Sequence, residues 1–356
     1  MNNFRISILL GVAFLLITLV LSSCSSSTGP ATPASSSGQG KIVYMTAALS
    51  PNPTSSSVVI IDSTGTMNMP LGAGFVWSAG SNRIVWDSTV GTDLDDGKGD
   101  AAIMISTNSG SSKEVWRSSL EERLVSMPVI SPDGSHIAFI TDESAVNVRR
   151  LHIFDVTPDG TAITNDHVID STVHDKIMPS FSPDGSKIAY YSHIGPNQFL
   201  MIRGNDGTFI ANIPNGGDQG NMPGNVEWSP SGGKIAFGGD AVVRVVDADG
   251  SNPIAVDSGG DPTWSPDSKT IAYESPYFFN GGSSNIFLTS DFGATKQILA
   301  NPNQELRFLP NWSPDGTKIL CTAESKTGHE ALEVIDVASG ASKSITPAGL
   351  SGAWLR

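Results

Sequence analysis

The sequence predicts an all-β fold in which one hairpin-based unit is repeated seven times around a ring. Three observations predict it: a strand–turn–strand motif recurs along the chain, a second turn glycine recurs in step with it, and the last residues supply a strand that the first unit lacks. The composition agrees, because 37 of the 356 residues are glycine and only 16% are charged. Short strands joined by turns need such glycines, whereas long helices with salt-bridged faces need more charge.

The recurring motif places Ser-Pro-Asp-Gly between two apolar segments. Pro presets φ for the first central position of a turn, and Gly adopts the positive φ that follows. Each copy is therefore predicted to be a β-hairpin. The copies are PVISPDGSHIAF (128–139), PSFSPDGSKIAY (179–190), VEWSPSGGKIAF (226–237), PTWSPDSKTIAY (262–273), PNWSPDGTKILC (310–321), the degenerate FVWSAGSNRIVW (75–86) and a half-copy, KIVYM, that begins at residue 41.

The isoleucine of the second strand measures the length of the repeat. It occurs at Ile42, Ile84, Ile137, Ile188, Ile235, Ile271 and Ile319, with a mean spacing of about 46 residues. A turn glycine after an alternating third strand gives an independent series: Gly65, Gly110, Gly160, Gly207, Gly250, Gly293 and Gly340. A more polar fourth strand then leads to the next unit. Seven units of four strands are typical of a seven-bladed β-propeller.

The two ends of the chain are predicted to close the ring. The first unit begins at Lys41 without a leading strand, whereas the chain ends in Gly352-Ala353-Trp354. In four other units Trp stands seven residues before the isoleucine of the second strand, at Trp77, Trp228, Trp264 and Trp312. We therefore expect a propeller of four-stranded antiparallel blades that is closed by the C-terminal strand, which removes the exposed edges of an open array.

The first 40 residues are predicted to be an export signal followed by a flexible tether. Arg5 precedes an apolar run, Ile6–Leu21, that is short for a membrane-spanning helix and typical of a secretory signal. The run ends Leu-Ser-Ser-Cys at Cys24, which resembles the lipobox of bacterial lipoproteins. That resemblance implies cleavage after residue 23, lipidation of Cys24 and export to the cell envelope, and Ser25 favours the outer membrane by the family's sorting rule. The alternatives are an uncleaved anchor and a chance cysteine.

Residues 25–40 contain no charge and no large apolar side chain, so we expect a flexible tether with a reach of roughly 20–24 Å. The predicted organisation is a lipoprotein signal peptide at 1–23, the lipidated Cys24 with its Ser/Thr/Pro linker at 24–40, and the propeller at 41–356. The remaining cysteine, Cys321, lies in an apolar strand pattern and is predicted to be a buried hydrophobe instead of a nucleophile.

The hairpins resemble the TolB-type propeller repeat, whose consensus is close to Pro-x-Trp-Ser-Pro-Asp-Gly-x-x-Ile-Ala-Phe. The resemblance covers residues 41–356 and implies a propeller that binds a protein or peptide partner in the envelope. Two departures stand against orthology: TolB has six units where this chain has seven, and the amino-terminal α/β domain of TolB has no counterpart in this sequence. The role of TolB in the Tol–Pal system is therefore only an analogy here.

Composition and motifs narrow the function further. The 35 acidic and 21 basic residues give a net charge of −14, which repels a phosphate backbone, so we expect no nucleic-acid partner. The sequence has no Gly-x-Ser-x-Gly elbow, and we predict a binding module that is not an enzyme. The alternative is a propeller-type polysaccharide lyase or hydrolase that acts on an extracellular polymer.

An acidic loop and a His/Asp cluster are the candidate metal sites. The loop carries Asp93, Asp95, Asp96 and Asp100, but its spacing does not match an EF-hand, so we expect a solvated turn and no cofactor, with a Ca²⁺ site as the alternative. The cluster comprises Asp166, His167, Asp170, His174 and Asp175. Because alternate residues of a strand face opposite ways, His167 and Asp170 are not expected to share a metal.

Position in the repeat predicts a binding site. In a propeller, the loops that lead into the innermost strands converge on one end of the central channel, here called the channel mouth. The predicted residues are Met127, Met178, Asp261 and Leu309, each just before the recurring Pro, then His174, Lys176, Glu305, Arg307 and Phe308 close by, and Met222 in a similar Met-Pro dipeptide. Mixed apolar and charged groups suit a peptide or small ligand; the alternative is that the methionines only pack the rim. We therefore predict a monomeric, lipid-anchored envelope protein whose propeller is a binding scaffold.

Overall fold

The computed structural model describes residues 22–23, 40–46, 57–65, 68–80, 83–89, 101–107, 111–118, 122–143, 148–170, 172, 175–194, 197–217, 224–239, 241–274, 284–301, 305–346 and 349–355. These residues contain 29 strands and no helix, which confirms the all-β class. Accordingly, no described segment is a helix that is long and apolar enough to cross a bilayer. Cys24, nearly all of the predicted signal peptide and linker, and the acidic loop from Asp93 to Asp100 lie outside the described residues.

Seven sheets form the seven blades, and each is hydrogen-bonded in the same order from the channel outward. In blades 1 to 3 the strands are β29 (Gly349–Trp354), β2 (Lys41–Thr46), β3 (Ser57–Asp62) and β4 (Met69–Ala73); β5 (Phe75–Gly80), β6 (Arg83–Thr89), β7 (Ala101–Thr107) and β8 (Ser112–Arg117); and β9 (Glu122–Ile130), β10 (His136–Glu143), β11 (Val148–Val156) and β12 (Ile163–Asp170). A two-residue strand, β1 (Ser22–Ser23), pairs in parallel with β5.

The other four blades have the same arrangement. Their strands are β13 (Asp175–Phe181), β14 (Lys187–Ile194), β15 (Asn197–Gly204) and β16 (Phe209–Gly217); β17 (Val226–Trp228), β18 (Lys234–Gly239), β19 (Val242–Asp247) and β20 (Ile254–Ser258); β21 (Gly260–Trp264), β22 (Ile271–Glu274), β23 (Ile286–Thr289) and β24 (Gln297–Ile298); and β25 (Leu306–Trp312), β26 (Lys318–Glu324), β27 (Glu330–Asp336) and β28 (Ser342–Ser344). The predicted seven-bladed propeller of antiparallel four-stranded blades is confirmed.

The hairpin turns form as their sequence predicts. In blade 4, the N–H of Gly185, at φ 68°, donates to the carbonyl of Ser182 at 2.9 Å. The Ser182 hydroxyl donates to Asp184 Oδ1 at 2.6 Å and accepts from the N–H of Lys187 at 2.9 Å. The Ser and Asp side chains therefore satisfy the polar groups of the turn, which explains why they recur together.

The carboxyl-terminal strand closes the ring as predicted. In the β29–β2 ladder Trp354 lies opposite Ile42 and Ala353 lies opposite Val43. The N–H of Leu355 donates to the carbonyl of Lys41 at 2.7 Å. Because Ile42 and Trp354 are both buried, this closure joins the two ends of the chain inside the core.

The recurring Trp pairs with the isoleucine of the second strand in four blades but not in blade 2. Trp228, Trp264, Trp312 and Trp354 each lie opposite the isoleucine of the second strand. In blade 2 the residue opposite Ile84 is Ala79 instead of Trp77, and the register shifts between Val76 and Ser78. The reason is that this unit lacks Pro-Asp-Gly, so that β5 runs on to Gly80 before the chain turns.

Neighbouring blades pack face to face through apolar side chains. One cluster combines Val43 and Ile60 of blade 1 with Ile84 and Trp86 of blade 2. Polar side chains also cross from blade to blade: the hydroxyl of Tyr273 in blade 6 donates to Asp257 Oδ2 in blade 5 at 2.6 Å. The core is therefore a series of interfaces between wedges.

The interfaces between blades explain why glycine recurs in the turn after the third strand. Gly250, at φ 85°, lies in the turn after the third strand of blade 5 and faces the fourth strand of blade 4. A Cβ added to Gly250 would lie 2.3 Å from Cβ of Ala211, and one added to Gly293 would lie 2.0 Å from the carbonyl oxygen of Val256. These two turns thus rest on the preceding blade with no room for a side chain.

Gly250→Ala is expected to destabilise the fold much more than Gly328→Ala. Both glycines have positive φ, but a Cβ at Gly328 would have no neighbour within 4 Å. Gly328→Ala should therefore cost only the backbone strain, about 1–2 kcal/mol. Gly250→Ala should cost about 1–3 kcal/mol more, because Ala211 must move. Chemical denaturation of both variants measures the difference, and equal losses would contradict close blade packing.

Candidate functional site

The innermost strands bend at one recurring point. In β13, Met178 and Pro179 face the single residue Tyr190, and in β25, Leu309 and Pro310 face the single residue Cys321. Register shifts also lie at Asp261-Pro262 in β21 and at Met127-Pro128 in β9. A bulge is one of the few places in a sheet that accepts proline, which has no N–H to donate. The recurring Pro therefore produces a bulge at the channel end of each of these strands.

The residue before three of these four prolines has a strained backbone. Met178, Asp261 and Leu309 have φ values of 56°, 45° and 55°. Positive φ is uncommon for residues other than glycine, and a following proline disfavours helical conformations further. Such strain costs on the order of 1–3 kcal/mol per residue and is concentrated at functional sites.

Four neighbouring blades place the equivalent residue around one small cavity. This mouth cavity has a volume of about 10 Å³, close to the space that a single water molecule needs. Asn225, Asp261, Leu309 and Ser351 occupy the same position, three residues before the Trp of blades 5, 6, 7 and 1. The full lining is Asn225, Asp261, Leu309, Pro310, Asn311, Ser351 and Gly352.

Two polar atoms in the lining of the mouth cavity have no hydrogen-bond partner within the part of the chain that the structure describes. They are Oδ1 of Asn225 and Oγ of Ser351, and each residue is only 6% exposed. The neighbouring polar groups are satisfied: the N–H of Asn225 donates to Asp261 Oδ1 at 3.0 Å, and Asn311 Oδ1 accepts from the N–H of Trp354 at 3.2 Å. An unsatisfied buried polar group costs about 1–3 kcal/mol, so two in one small cavity suggest a site for a ligand.

The carboxylate of Asp261 interacts with a second carboxylate behind it. Burial raises the pKa of Asp261 to about 6, although the N–H of Asn225 favours the ionised form. Burial, and then the charge of Asp261, raise the pKa of Glu274, whose Oε2 accepts from the N–H of Leu309 at 3.4 Å. Two carboxyl groups that disfavour each other's charge hold a proton between them at mildly acidic pH.

A second pair of carboxylates lies at the same end of blade 7. Glu324 and Glu330 are direct cross-strand partners in the β26–β27 ladder. Burial and then the charge of Glu324 raise the pKa of Glu330 to about 7. Burial also raises the pKa of Glu324, and its Oε2 has no hydrogen-bond partner among the described residues. The mouth of blades 6 and 7 is therefore acidic and favours a cation or a hydrogen-bond donor.

Lys176 and Arg307, two of the predicted site residues, do not lie open to a ligand. They occupy matching positions, three residues before the bulge proline, and are 0% and 1% exposed. Lys176 Nζ donates to the carbonyls of Arg149 and Thr172 at 3.0 and 2.7 Å. Both cations are held within and between blades, so their placement is structural.

The guanidinium of Arg307 donates three hydrogen bonds. Its Nε donates to Glu333 Oε2 at 2.7 Å, its Nη2 donates to Ser342 Oγ at 3.1 Å, and its Nη1 donates to the carbonyl of Ala300. A long basic side chain near a mouth can turn toward solvent or into the blade, and sequence spacing does not distinguish these directions.

The other predicted site residues have mixed placements. Met178 and Asp261 are buried at the bulges, whereas Glu305 and Phe308 are partly exposed and do not line the mouth cavity. His174 and Met222, and the side chain of Met127, lie outside the described residues. Sequence reasoning missed Asn225 and Ser351 because neither precedes a proline. Counting three residues back from each Trp would have found both.

Blade 3 contains a hydroxyl–imidazole–carboxylate series. Oγ1 of Thr141 lies 2.9 Å from Nε2 of His152, and Nδ1 of His152 lies 2.8 Å from Oδ1 of Asp166. The spacing is that of a nucleophile, a base and an orienting acid. However, Thr141 is 0% exposed, and His152 stacks against Phe139 and Phe154. The series therefore joins three strands, from the buried hydroxyl of Thr141 to the exposed carboxylate of Asp166.

No group of three or more metal-ligating side chains occurs among the described residues. The parts of the predicted His/Asp cluster that are described are separated. Asp166 contacts His152, whereas Asp170 Oδ2 accepts from the Tyr190 hydroxyl at 2.7 Å. His174 and the side chain of Asp175 lie outside the described part of the chain.

No protein-family model and no curated protein matches this chain. Solved structures match it in fold. TolB from Acinetobacter baumannii has a TM-score of 0.54 and 15% identity over 89% of this chain and 67% of that chain. A putative 6-phosphogluconolactonase from Bacteroides uniformis has a TM-score of 0.57 and 12% identity, and covers 89% of this chain and 99% of its own.

Puromycin hydrolase has a TM-score of 0.62 and 14% identity over 92% of this chain. This chain spans only 57% of the length of that enzyme. The three proteins differ in function, and all are far below the identity at which function follows from likeness. The comparisons therefore support the propeller fold, including a TolB-like one, and leave the ligand to be argued from the site.

Asp261→Asn is expected to reduce the pH dependence of stability between about pH 4 and pH 6. Because the folded chain raises the pKa of Asp261 from 3.8 to about 6, the folded state binds the proton more tightly than the unfolded state. The contribution of Asp261 to stability is therefore greatest below pH 4 and is lost as the pH rises through 6. One pKa unit corresponds to about 1.4 kcal/mol, so the wild type should lose about 1–3 kcal/mol across this window through Asp261.

Chemical denaturation at several pH values from about 4 to 7 tests this prediction. The matched control is Asp249→Asn in an exposed turn, where the Ser251 hydroxyl and N–H lower the pKa of the carboxyl. Asp249 titrates below the window, so its variant should keep the wild-type slope. If Asp261→Asn keeps that slope as well, the mouth carboxyl is not the group that titrates.

Proposed function

We propose that this chain is a membrane-anchored envelope lipoprotein whose propeller binds a protein or peptide partner, or a small ligand, at the channel mouth. The mouth cavity is the observation that carries the proposal. There, unpartnered oxygens of Asn225 and Ser351 lie beside the buried carboxyl of Asp261. Each feature costs stability, and together they form a preorganised set of hydrogen-bond acceptors.

The charge at the mouth indicates the chemistry of the partner. Asp261, Glu274, Glu324 and Glu330 all have raised pKa values because of burial. A partner that presents an ammonium, a guanidinium or N–H groups would stabilise the ionised carboxylates and satisfy the free oxygens of Asn225 and Ser351. A basic or amide-rich peptide segment fits this description best.

We propose binding in preference to catalysis. The Thr141 hydroxyl, whose spacing to His152 and Asp166 is suitable for a nucleophile, is fully buried. A propeller-type lyase or hydrolase that acts on an extracellular polymer stays the alternative. Among the solved structures similar in fold are TolB, which supports the proposed envelope role by analogy, and puromycin hydrolase, in which a similar fold occurs in a hydrolase.

Cys24→Ala is expected to release the protein from the membrane. The proposed anchor depends on acyl chains attached at Cys24, and each buried CH₂ contributes about 0.8 kcal/mol. The wild type should therefore be in the detergent-extracted membrane fraction and the variant in the soluble fraction. Ser25→Ala is the matched control and should stay with the membrane. If Cys24→Ala also stays with the membrane, an uncleaved apolar segment is the anchor.

A photo-crosslinking residue at Leu309 is expected to capture the partner in intact cells. Leu309 lines the mouth cavity and is partly exposed. The control position is Ile298, which is 59% exposed on the fourth strand of blade 6. An adduct that forms from position 309, not from position 298, and that weakens with Ser351→Ala supports the mouth. Identical adducts from both positions would rule it out.

A further inference from the structure

A second cavity lies between blades 6 and 7, at the end of the ring opposite the channel mouth. The first strands run from the mouth to the Ser-Pro-Asp turns, and this side groove lies at those turns. Its volume is about 540 Å³, within the range of small-molecule sites. Its lining includes Thr270, Leu288 and Ser290 of blade 6 and Trp312 and Val337 of blade 7.

One of the residues that line the side groove departs from the repeat. In six units a basic residue precedes the isoleucine of the second strand: Lys41, Arg83, His136, Lys187, Lys234 and Lys318. In the sixth unit this residue is Thr270. In blade 2 the basic side chain crosses to the next blade, where Arg83 donates to the carbonyls of Gly134 and Pro158 at 2.7 and 2.8 Å.

The neighbouring groove between blades 5 and 6 contains longer side chains than the side groove. There Lys234 Nζ lies 5.7 Å from the centre of the Phe292 ring, so two long side chains meet across the groove. Phe292 precedes the turn glycine Gly293, and the equivalent residue of blade 7 is Ser339. The Ser339 hydroxyl donates to Asp336 Oδ1 at 2.6 Å within its own turn. At the side groove both positions therefore carry short side chains. Of the two, only Thr270 departs from the repeat, because the residues equivalent to Phe292 in the other units are Thr64, Ser109, Asp159, Asp206 and Asp249.

The floor of the side groove is apolar, because Leu288, Trp312 and Val337 line it. The Nε1 donor of Trp312 is itself buried and has no hydrogen-bond partner among the described residues, as is also true of Trp264 and Trp354. This indole nitrogen therefore belongs to the blade interior and not to the surface of the groove.

The rim of the side groove offers neutral donors and acceptors. Thr270 and Ser290 carry hydroxyls and Gln297 an amide, and each of these groups both donates and accepts. The nearby ammonium of Lys296 is paired with Asp257 Oδ2 at 2.7 Å. The aspartates of the two turns are ionised, and for Asp267 the Ser265 hydroxyl lowers the pKa. An anion would therefore be repelled, whereas hydroxyl groups would find partners on every side.

We propose that the side groove between blades 6 and 7 binds a neutral saccharide. A sugar ring has an apolar C–H face and a periphery of hydroxyls, each of which donates and accepts. The face fits the floor of Leu288, Trp312 and Val337, and the hydroxyls fit the rim of Thr270, Ser290 and Gln297. This site is separate from the channel mouth and does not depend on the function proposed there.

Binding of defined oligosaccharides to the full chain tests the proposal. The probes are cellotriose, maltotriose and the trimer of N-acetylglucosamine, titrated into protein held in a detergent without a sugar headgroup. Calorimetry and tryptophan fluorescence follow binding. At least one probe should bind saturably, and Thr270→Lys, which restores the basic residue of the other six units, should weaken that binding at least tenfold. Thr327→Lys, on an exposed turn at the other end of blade 7, is the matched control and should change nothing.

A second variant tests the same groove if Thr270→Lys lowers the melting temperature. Ser339→Phe introduces the aromatic residue that Phe292 supplies to the neighbouring groove, and it should weaken binding in the same way. Two results would overturn the proposal: that none of the three saccharides binds, or that binding is equal in Thr270→Lys and Thr327→Lys.

Discussion

The ring depends on one constraint: each blade must approach the next so closely that apolar side chains interlock without gaps. The turn glycines show how close the approach is. A Cβ at Gly65 of blade 1 would lie 2.4 Å from the carbonyl oxygen of Ile345 at the end of blade 7. The same contact recurs between Gly293 and Val256. The close contact between a turn glycine and the preceding blade therefore joins the last blade to the first as well as successive blades. The sequence repeat and the closure of the ring both follow from this contact.

Most of the fold could be predicted from the sequence because its determinants are local. The Ser-Pro-Asp-Gly turn satisfies its own polar groups, so each copy forms a hairpin whatever surrounds it. The Trp–Ile register then follows from the number of residues in the turn. Blade 2 shows the limit of this reasoning: without Pro-Asp-Gly nothing local ends β5 at the usual residue, and Ala79 replaces Trp77 opposite Ile84.

The site could be predicted only in part, because its determinants are not local. Position in the repeat placed Asp261 and Leu309 at the channel mouth, where the structure has them. The direction of a long side chain depends instead on partners that are distant in sequence. Arg307 turns away because Glu333, 26 residues further on, accepts its Nε–H inside the blade. The strain at the bulges, the unpartnered oxygens and the shifted carboxyl pKa values are properties of packing and leave no motif in the sequence.

The positions at which single blades depart from the repeat indicate a role beyond the stability of the propeller. In a ring of similar blades, a residue that packs well at one position of one blade packs equally well at that position in the others. Stability alone therefore favours the same residue in every blade. Blades 5, 6 and 1 nevertheless place Asn225, Asp261 and Ser351 at a ring position where blade 7 has an apolar residue. Blade 6 replaces the recurring basic residue by Thr270, which lines the side groove. Each departure exposes or buries polar groups at a cost in stability, which the ligands proposed for the two sites would offset.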